Sequence, residues 1–257
     1  MRTRIFQITA IIVAAAAATS HATELMVTVE NLQPPGGLFF TPTWVGFHDG
    51  TFDPFDAGGT ASDAIEAIAE GGDTAPLSAS FAGHGVDGTI APGTPFGPSG
   101  SAFGGTASAM FTVDPASNGY ISFASMIIPS NDAFFGNDDP MAYKLFDMNG
   151  NFAGPLTITI NGSDIWDAGS EVNNKMGGAA FSALGGDSVD DSGMIAMHSG
   201  LDEFIGTETA NGEMISSAFG ADTAIARITV TQVPEPGTLA LASIGGLALV
   251  GLGRRRR

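Results

Sequence analysis

Two short stretches bring together residue types that could do chemistry. The first is IIPSNDAFFGNDDP, Ile127 to Pro140. A strand-like run from Ile121 to Ile128 stops at Pro129, and Asn131 and Asp132 then stand beside Phe134 and Phe135. A carboxylate among apolar side chains is costly unless backbone donors, a basic side chain or a metal ion pair it. The second stretch is IWDAGSEVNN, Ile165 to Asn174, which follows the strand-like PLTITI. It offers Asp167, Glu171, Asn173 and Asn174 within eight residues. Mixed Asp, Glu and Asn oxygens on turns suit a hard cation such as calcium. The same residues also cap turns and face water, so spacing alone leaves both readings open.

Other chemistries find less support. The chain has no cysteine, which excludes disulfides, thiolate metal sites and cysteine nucleophiles. GHGVDG, Gly83 to Gly88, matches G-x-G-x-x-G but lacks the βαβ context of a dinucleotide site. DMNGNF has Asp147, Asn149 and Asn151 at calcium-loop spacing, but Phe152 stands where the EF-hand turn needs Gly and Ile158 where it needs Glu. It reads as a strand turn. No G-x-S-x-G elbow occurs, and His48, His84 and His198 show no zinc-type spacing. The expectation is a protein without catalytic activity. The alternative is an exported hydrolase of polysaccharide or peptide, since paired carboxylates at set separations can cleave glycosides.

The elements that must position these residues read mostly as strands and turns. Leu25 to Leu32 alternates apolar and polar, as a half-buried strand does. Short apolar runs follow at PTWVGFHDG, GYISFASMII and PLTITI, and Ala224 to Val233 forms a closing strand. Asn-Gly pairs at 118, 149, 161 and 211 mark turns between them. One segment breaks the pattern. Ala61, Ala64, Ile65 and Ile68 fall at helical spacing, which predicts one short helix from Ser62 to Glu70, capped by Ser62 or Thr60 and ended at Gly71. Gly83 to Gly105, rich in Gly and Pro, reads as a long surface loop.

The two ends differ from the middle. Arg2 and Arg4, an apolar run from Ile8 to Ala18 and Ser20-His21-Ala22 make a secretory signal, residues 1–22, with the mature chain starting near Thr23. At the other end Pro234-Glu235-Pro236 precedes an apolar stretch, Thr238 to Gly253, and four arginines. Basic residues beyond an apolar stretch hold it at the cytoplasmic side, so the segment reads as an anchor, permanent or temporary. In that order these parts resemble the PEP-CTERM sorting signal of Gram-negative bacteria. The resemblance implies a transient inner-membrane anchor, removal of the tail (residues 234–257) by an exosortase, and delivery to the cell surface or an exopolysaccharide matrix. Between the ends, residues 23–233 hold 26 of the 27 acids and only three basic residues, Lys144, Lys175 and Arg227. So negative a domain repels nucleic acid and anionic lipid and attracts cations. Its hydrophobic content, 44% over the whole chain, is too high for a disordered acidic segment.

The middle of the chain also resembles the spondin domain, the module of F-spondin and mindin that occurs in bacterial exported proteins. TPTWVGFHDGTFDPFDAG, ASDAIEAIAEGGDTAPL, SMIIPSNDAFFG, WDAGSEVNN and ARITVTQV carry the likeness, in order. The resemblance implies an all-β antiparallel sandwich with a divalent cation, calcium first, at one end. It places two ligands on Asp132 and Asp167. A third family ligand, a glutamate, falls near Thr112, which is not acidic. Its role is left to Asp114, Glu171 or Asn173. On this reading a cation pairs Asp132 at the sandwich rim, and Phe134 and Phe135 hold its loop at the sandwich end. The expected function is a non-enzymatic surface or matrix protein in adhesion or in contact with exopolysaccharide or surface glycans. A scaffold that merely occupies the matrix is a weaker reading.

Overall fold

A computed structural model describes residues 22–234 other than 94, 176, 218 and 219. The signal helix and the C-terminal apolar helix expected from sequence lie outside the described residues. Within them the chain forms β1 (Thr23–Asn31), β2 (Phe39–Phe40), β3 (Thr43–His48), α1 (Asp63–Gly71), α2 (Ala75–Phe81) and β4 (Gly85–Ile90). It continues with β5 (Thr106–Val113), β6 (Tyr120–Ile128), β7 (Ala133–Gly136), β8 (Leu156–Asn161), β9 (Ile165–Asp167), β10 (Ala196–Met197) and β11 (Ala224–Gln232). Two antiparallel sheets result. One has the order β5-β1-β11-β8, and the other β10-β9-β7-β6-β3-β4 with β2 beside β6. The fold is an all-β sandwich, as the alternating patterns predict.

Period-two alternation sends one face of each strand into the core. Leu25, Val27 and Val29 of β1 and Ile228 and Val230 of β11 meet Val45, Phe47, Ile121 and Phe123 from the opposite sheet, all buried. β6 is buried along nearly its whole length, because both of its faces are covered. Ile121, Phe123 and Ile127 enter the core between the sheets, whereas Ala124 lies in a second cluster with Trp44, Phe52, Ile68, Leu77 and Phe81. α1 and α2 form that outer cover. The helices let the larger sheet bury both faces, which the strand patterns alone do not reveal.

Ser62 caps α1, its hydroxyl accepting from Ile65 N at 3.4 Å, as the sequence predicts. The helix ends one residue later than expected, at Gly71, with Gly72 in the left-handed region at φ 67°. Two expectations need correction. A second helix, α2, follows where one was expected. It has Pro76 in its first turn and buries only Leu77 and Phe81, too few apolar positions to show a period. The segment Gly83–Gly105 is not all loop, since β4 pairs with β3 along its six residues. Its glycines hid the strand. A Cβ at Gly85 would lie 1.9 Å from the Phe47 carbonyl oxygen, so close pairing demands glycine there.

Strand register gives the sandwich two poles. Thr23 lies opposite Val113 and Leu25 opposite Gln232, so β1 begins where β5 and β11 end. The turn from Asp114 to Gly119 then leads into the start of β6. The far end of β6 lies nine residues along, about 30 Å away at 3.3 Å per residue. Both ends of the described chain therefore share one pole, and the loop carrying Asp132 lies at the other.

Gly72 is where α1 closes on this second pole. A Cβ there would meet Thr41 Cγ2 at 2.4 Å, and its φ already disfavours L-residues. Gly72→Ala should destabilise the domain by about 1–3 kcal/mol, lowering the melting temperature by several degrees in a thermal scan. Gly71→Ala, with open space around its Cβ, should be tolerated.

Candidate functional site

The loop after β6 is built around its own polar side chains. Ser130 Oγ donates to the Ile127 carbonyl at 2.6 Å and accepts from Ala133 N at 3.1 Å, closing a tight turn. The turn aims Asp132 inward, and β7 starts immediately after it. Phe134 and Phe135 take opposite faces of β7. Phe135 enters the core between the sheets, while Phe134 packs against Phe55 under α1, with Trp166 in the same cluster. Both rings hold the loop from below, but from two separate layers rather than one, because alternate residues of a strand point apart.

Asp132 is fully buried. Its Oδ2 accepts from Ser170 N at 2.9 Å, from Glu171 N at 3.1 Å and, more weakly, from Ser170 Oγ at 3.4 Å. Its Oδ1 is buried with no partner. Burial, opposed by the bond from Glu171 N and joined by the charges of Asp167 and Glu171, raises its pKa from 3.8 to about 6. Next to it Asn131 Oδ1 accepts from Asn174 N at 3.2 Å. Asn131 Nδ2 makes no hydrogen bond of good geometry, although the amide lies near enough to Glu171 to favour that carboxylate.

β7 pairs Ala133 with Asp167 of β9, which brings the second stretch alongside the first. Ala168 N donates to the Asp132 carbonyl at 3.2 Å. Asp167 is half-buried, with Oδ1 accepting from Gly169 N at 2.7 Å and Oδ2 from Asn173 Nδ2 at 2.6 Å. Asn173 Oδ1 in turn lies 3.3 Å from His198 Nε2, and His198 Nδ1 accepts from Gly200 N at 3.0 Å. That acceptor role places the ring proton on Nε2, which donates to Asn173. Burial lowers the His198 pKa, against the pull of Asp167, which favours the neutral ring. Sequence reasoning left His198 among scattered histidines. Its contact with Asn173 arises only because β10 pairs with β9 across 29 residues of chain.

Glu171 is buried, and desolvation together with the nearby charges of Glu70 and Asp190 raises its pKa. Asp132, Asp167, Glu171 and Asn173 thus gather at one pole. Asp114 does not join them. It lies at the other pole, where its carboxylate accepts from Ala116 N at 2.9 Å within its own turn. Thr112, on exposed positions of β5, is equally remote from Asp132. Among the described residues no three His, Cys, Asp or Glu side chains converge in metal-holding geometry. The only salt bridge there, Arg227 to Glu30 at 3.3 Å, belongs to the smaller sheet. The acidic pole is therefore organised by hydrogen bonds and backbone donors, with one carboxylate oxygen left over.

Fold and site together describe an antiparallel sandwich with a cluster of polar and acidic side chains at one pole around a buried acid. Comparison with protein families sharpens this class. Residues 36–177, more than half of the chain, match the Spondin_N model, and the chain belongs to that family. Residues 232–257 match the PEP-CTERM protein-sorting motif, which implies processing by an exosortase at the C-terminus. No curated protein matches the chain. The two family matches describe an exported, surface-associated protein.

The raised Asp132 pKa sets a sign for pH dependence. Between about pH 4 and 6 the folded state holds a proton that the unfolded state has lost, so this group's contribution is full below pH 4 and disappears as pH rises through 6. The loss is at most about 3 kcal/mol. Asp132→Asn keeps an oxygen for the Ser170 and Glu171 donors and removes the charge. In chelator at pH 7.5 it should melt several degrees above the unsubstituted protein, with the gap closing near pH 4. A variant that melts lower at both pH values would contradict this electrostatic reading.

Proposed function

We propose that the described domain is a non-enzymatic surface module whose acidic pole is stabilised by a divalent cation, calcium first. The observation that carries this reading is Asp132 Oδ1, buried and unpartnered beside Asp167. The residues fit a hard cation in part. Asp132 and Asp167 would hold it, and Glu171 and the Asn173 carbonyl are the nearest further oxygen donors, while Asp114 is too distant to contribute. The donor set is all oxygen, as calcium prefers. A bound ion would supply positive charge at a pole where no basic side chain is paired among the described residues. Residues 1–22 act on this reading as signal, 23–233 as the folded domain and 234–257 as the sorting segment. In a Gram-negative host that segment would anchor the chain in the inner membrane until it is removed.

Adhesion, or contact with exopolysaccharide and surface glycans, is the role that export and sorting favour. The hydrolase alternative is weaker. The cleft lined by Phe39, Ile128 and Phe181 does not include Asp132 or Asp167 in its walls, so the acid with a markedly raised pKa does not open into it.

Calcium binding should stabilise the folded state by mass action, about 2.7 kcal/mol at a hundredfold excess over its dissociation constant. Thermal melts in chelator and in millimolar calcium should differ by several degrees. Asp132→Asn and Asp167→Ala should each reduce that difference, and the double variant should add little to the worse single one. Equal melting points for the unsubstituted protein would sink the cation reading. Processing is checked separately, by intact mass of the protein from its own host. Most of Thr238 to Arg257 should be missing, and a retained arginine tail would favour a permanent anchor.

A further inference from the structure

An open cleft of about 450 Å³ lies at the same pole, between the first helix and the segment that follows residue 177. Phe39, Phe103, Ile128, Pro42 and Pro95 form one side and Phe181 the other. Phe39 and Ile128 are buried, whereas Phe181 is 46% exposed. Among the described residues no charged side chain lines the cleft, although the domain is strongly acidic. The wall residues Phe181, Thr209, Ala210 and Asn211 lie beyond the family match, which ends at 177.

Phe181 is unusual in its backbone. It sits in the left-handed region at φ 57°, the one non-glycine residue among those described with positive φ, against seventeen glycines. Ser182 N donates to the Ala179 carbonyl at 3.3 Å, so Phe181 occupies the turn position that ordinarily takes glycine. Ala210 N fixes that conformation by donating to the Phe181 carbonyl at 2.8 Å. A bulky residue held there is strained. In so glycine-rich a chain, Phe at this turn contributes its ring rather than its backbone.

The polar side chains of the wall are already engaged within the protein. Thr41 Oγ1 accepts from Met126 N at 3.1 Å. Thr209 Oγ1 donates to Asn211 Oδ1 and accepts from Glu213 N, and Asn211 Nδ2 donates to the Glu213 carboxylate at 3.3 Å. A sugar entering the cleft would lose water from its hydroxyls without finding side-chain partners. An anion would find no basic residue. What the cleft offers is ring and aliphatic surface to an uncharged guest. We propose that it binds the acyl chain of a neutral lipid, with Phe181 closing over the guest.

The test uses the processed, soluble protein and N-phenyl-1-naphthylamine, an uncharged apolar fluorophore. The expected result is saturable fluorescence enhancement at one site, reversed by 1-monolauroylglycerol below its micelle concentration. Laurate should compete less well, and soluble oligosaccharides should not compete. Phe181→Gly should weaken binding roughly tenfold or more by removing a large apolar contact, without lowering the melting temperature, because it also relieves the strained turn. Ala210→Trp, at an exposed wall position, should block the cleft and abolish binding in a protein that still melts cooperatively. Absence of saturable enhancement, displacement by oligosaccharide rather than monoacylglycerol, or full affinity in both variants would overturn the proposal. Calcium plays no part in it, so failure of the cation reading leaves this test intact.

Discussion

Burial of one carboxylate organises the acidic pole. Asp132 follows a strand that is covered on both faces, so its side chain has no route to water. The loop from Asp167 to Asn174 curls over it and supplies two backbone N–H groups to Oδ2. Those two bonds set the position of Glu171, and the Asp167 bonds to Gly169 and Asn173 set the rest of the loop. Oδ1 has no partner, and an unsatisfied buried acceptor costs about 1–3 kcal/mol, more when charged. A proton, or a cation, relieves that cost. The raised pKa of Asp132 is the first of these solutions.

The sheets make this arrangement possible by separating functions in space. Antiparallel register puts both ends of the described chain at one pole and the Asp132 loop at the other. A domain held by its C-terminal segment would then present its acidic pole and its apolar cleft away from the point of attachment. The two helices matter for the same reason. They cover the outer face of the larger sheet, and α1 buries Phe134 and Trp166 and ends at Gly72 against Thr41 beside the cleft. The cleft and the acidic loop are neighbours at this pole. Yet they differ in chemistry, one lined by rings without charge and the other by oxygens.

Much of this was legible in the sequence. β1, β6 and β11 follow patterns of alternation or β-branched residues that survive any context, and Ser62 announced its helix. Asp132 and Asp167 could be paired through family likeness, and the structure places them side by side. What stayed hidden depended on partners distant in the chain. β4 looks like loop because its glycines serve the approach of β3. α2 has only two buried apolar positions. Asp114 sits in an acidic turn like the others, and only strand direction shows that it belongs to the wrong pole. His198 reaches Asn173 through a two-residue strand that no local pattern marks. The strain at Phe181 is a backbone property, invisible in residue types.

The central claim is that Asp132 exchanges a proton for a cation. Calorimetric titration of calcium into the metal-free protein, run in buffers of different ionisation enthalpy, measures the protons released per ion. With a carboxyl pKa near 6 in the metal-free state, release should approach one proton per calcium at pH 5 and fall towards zero at pH 8, and Asp132→Asn should abolish it. Calcium binding without proton release at pH 5, or no binding heat at any pH in either buffer, would contradict the account.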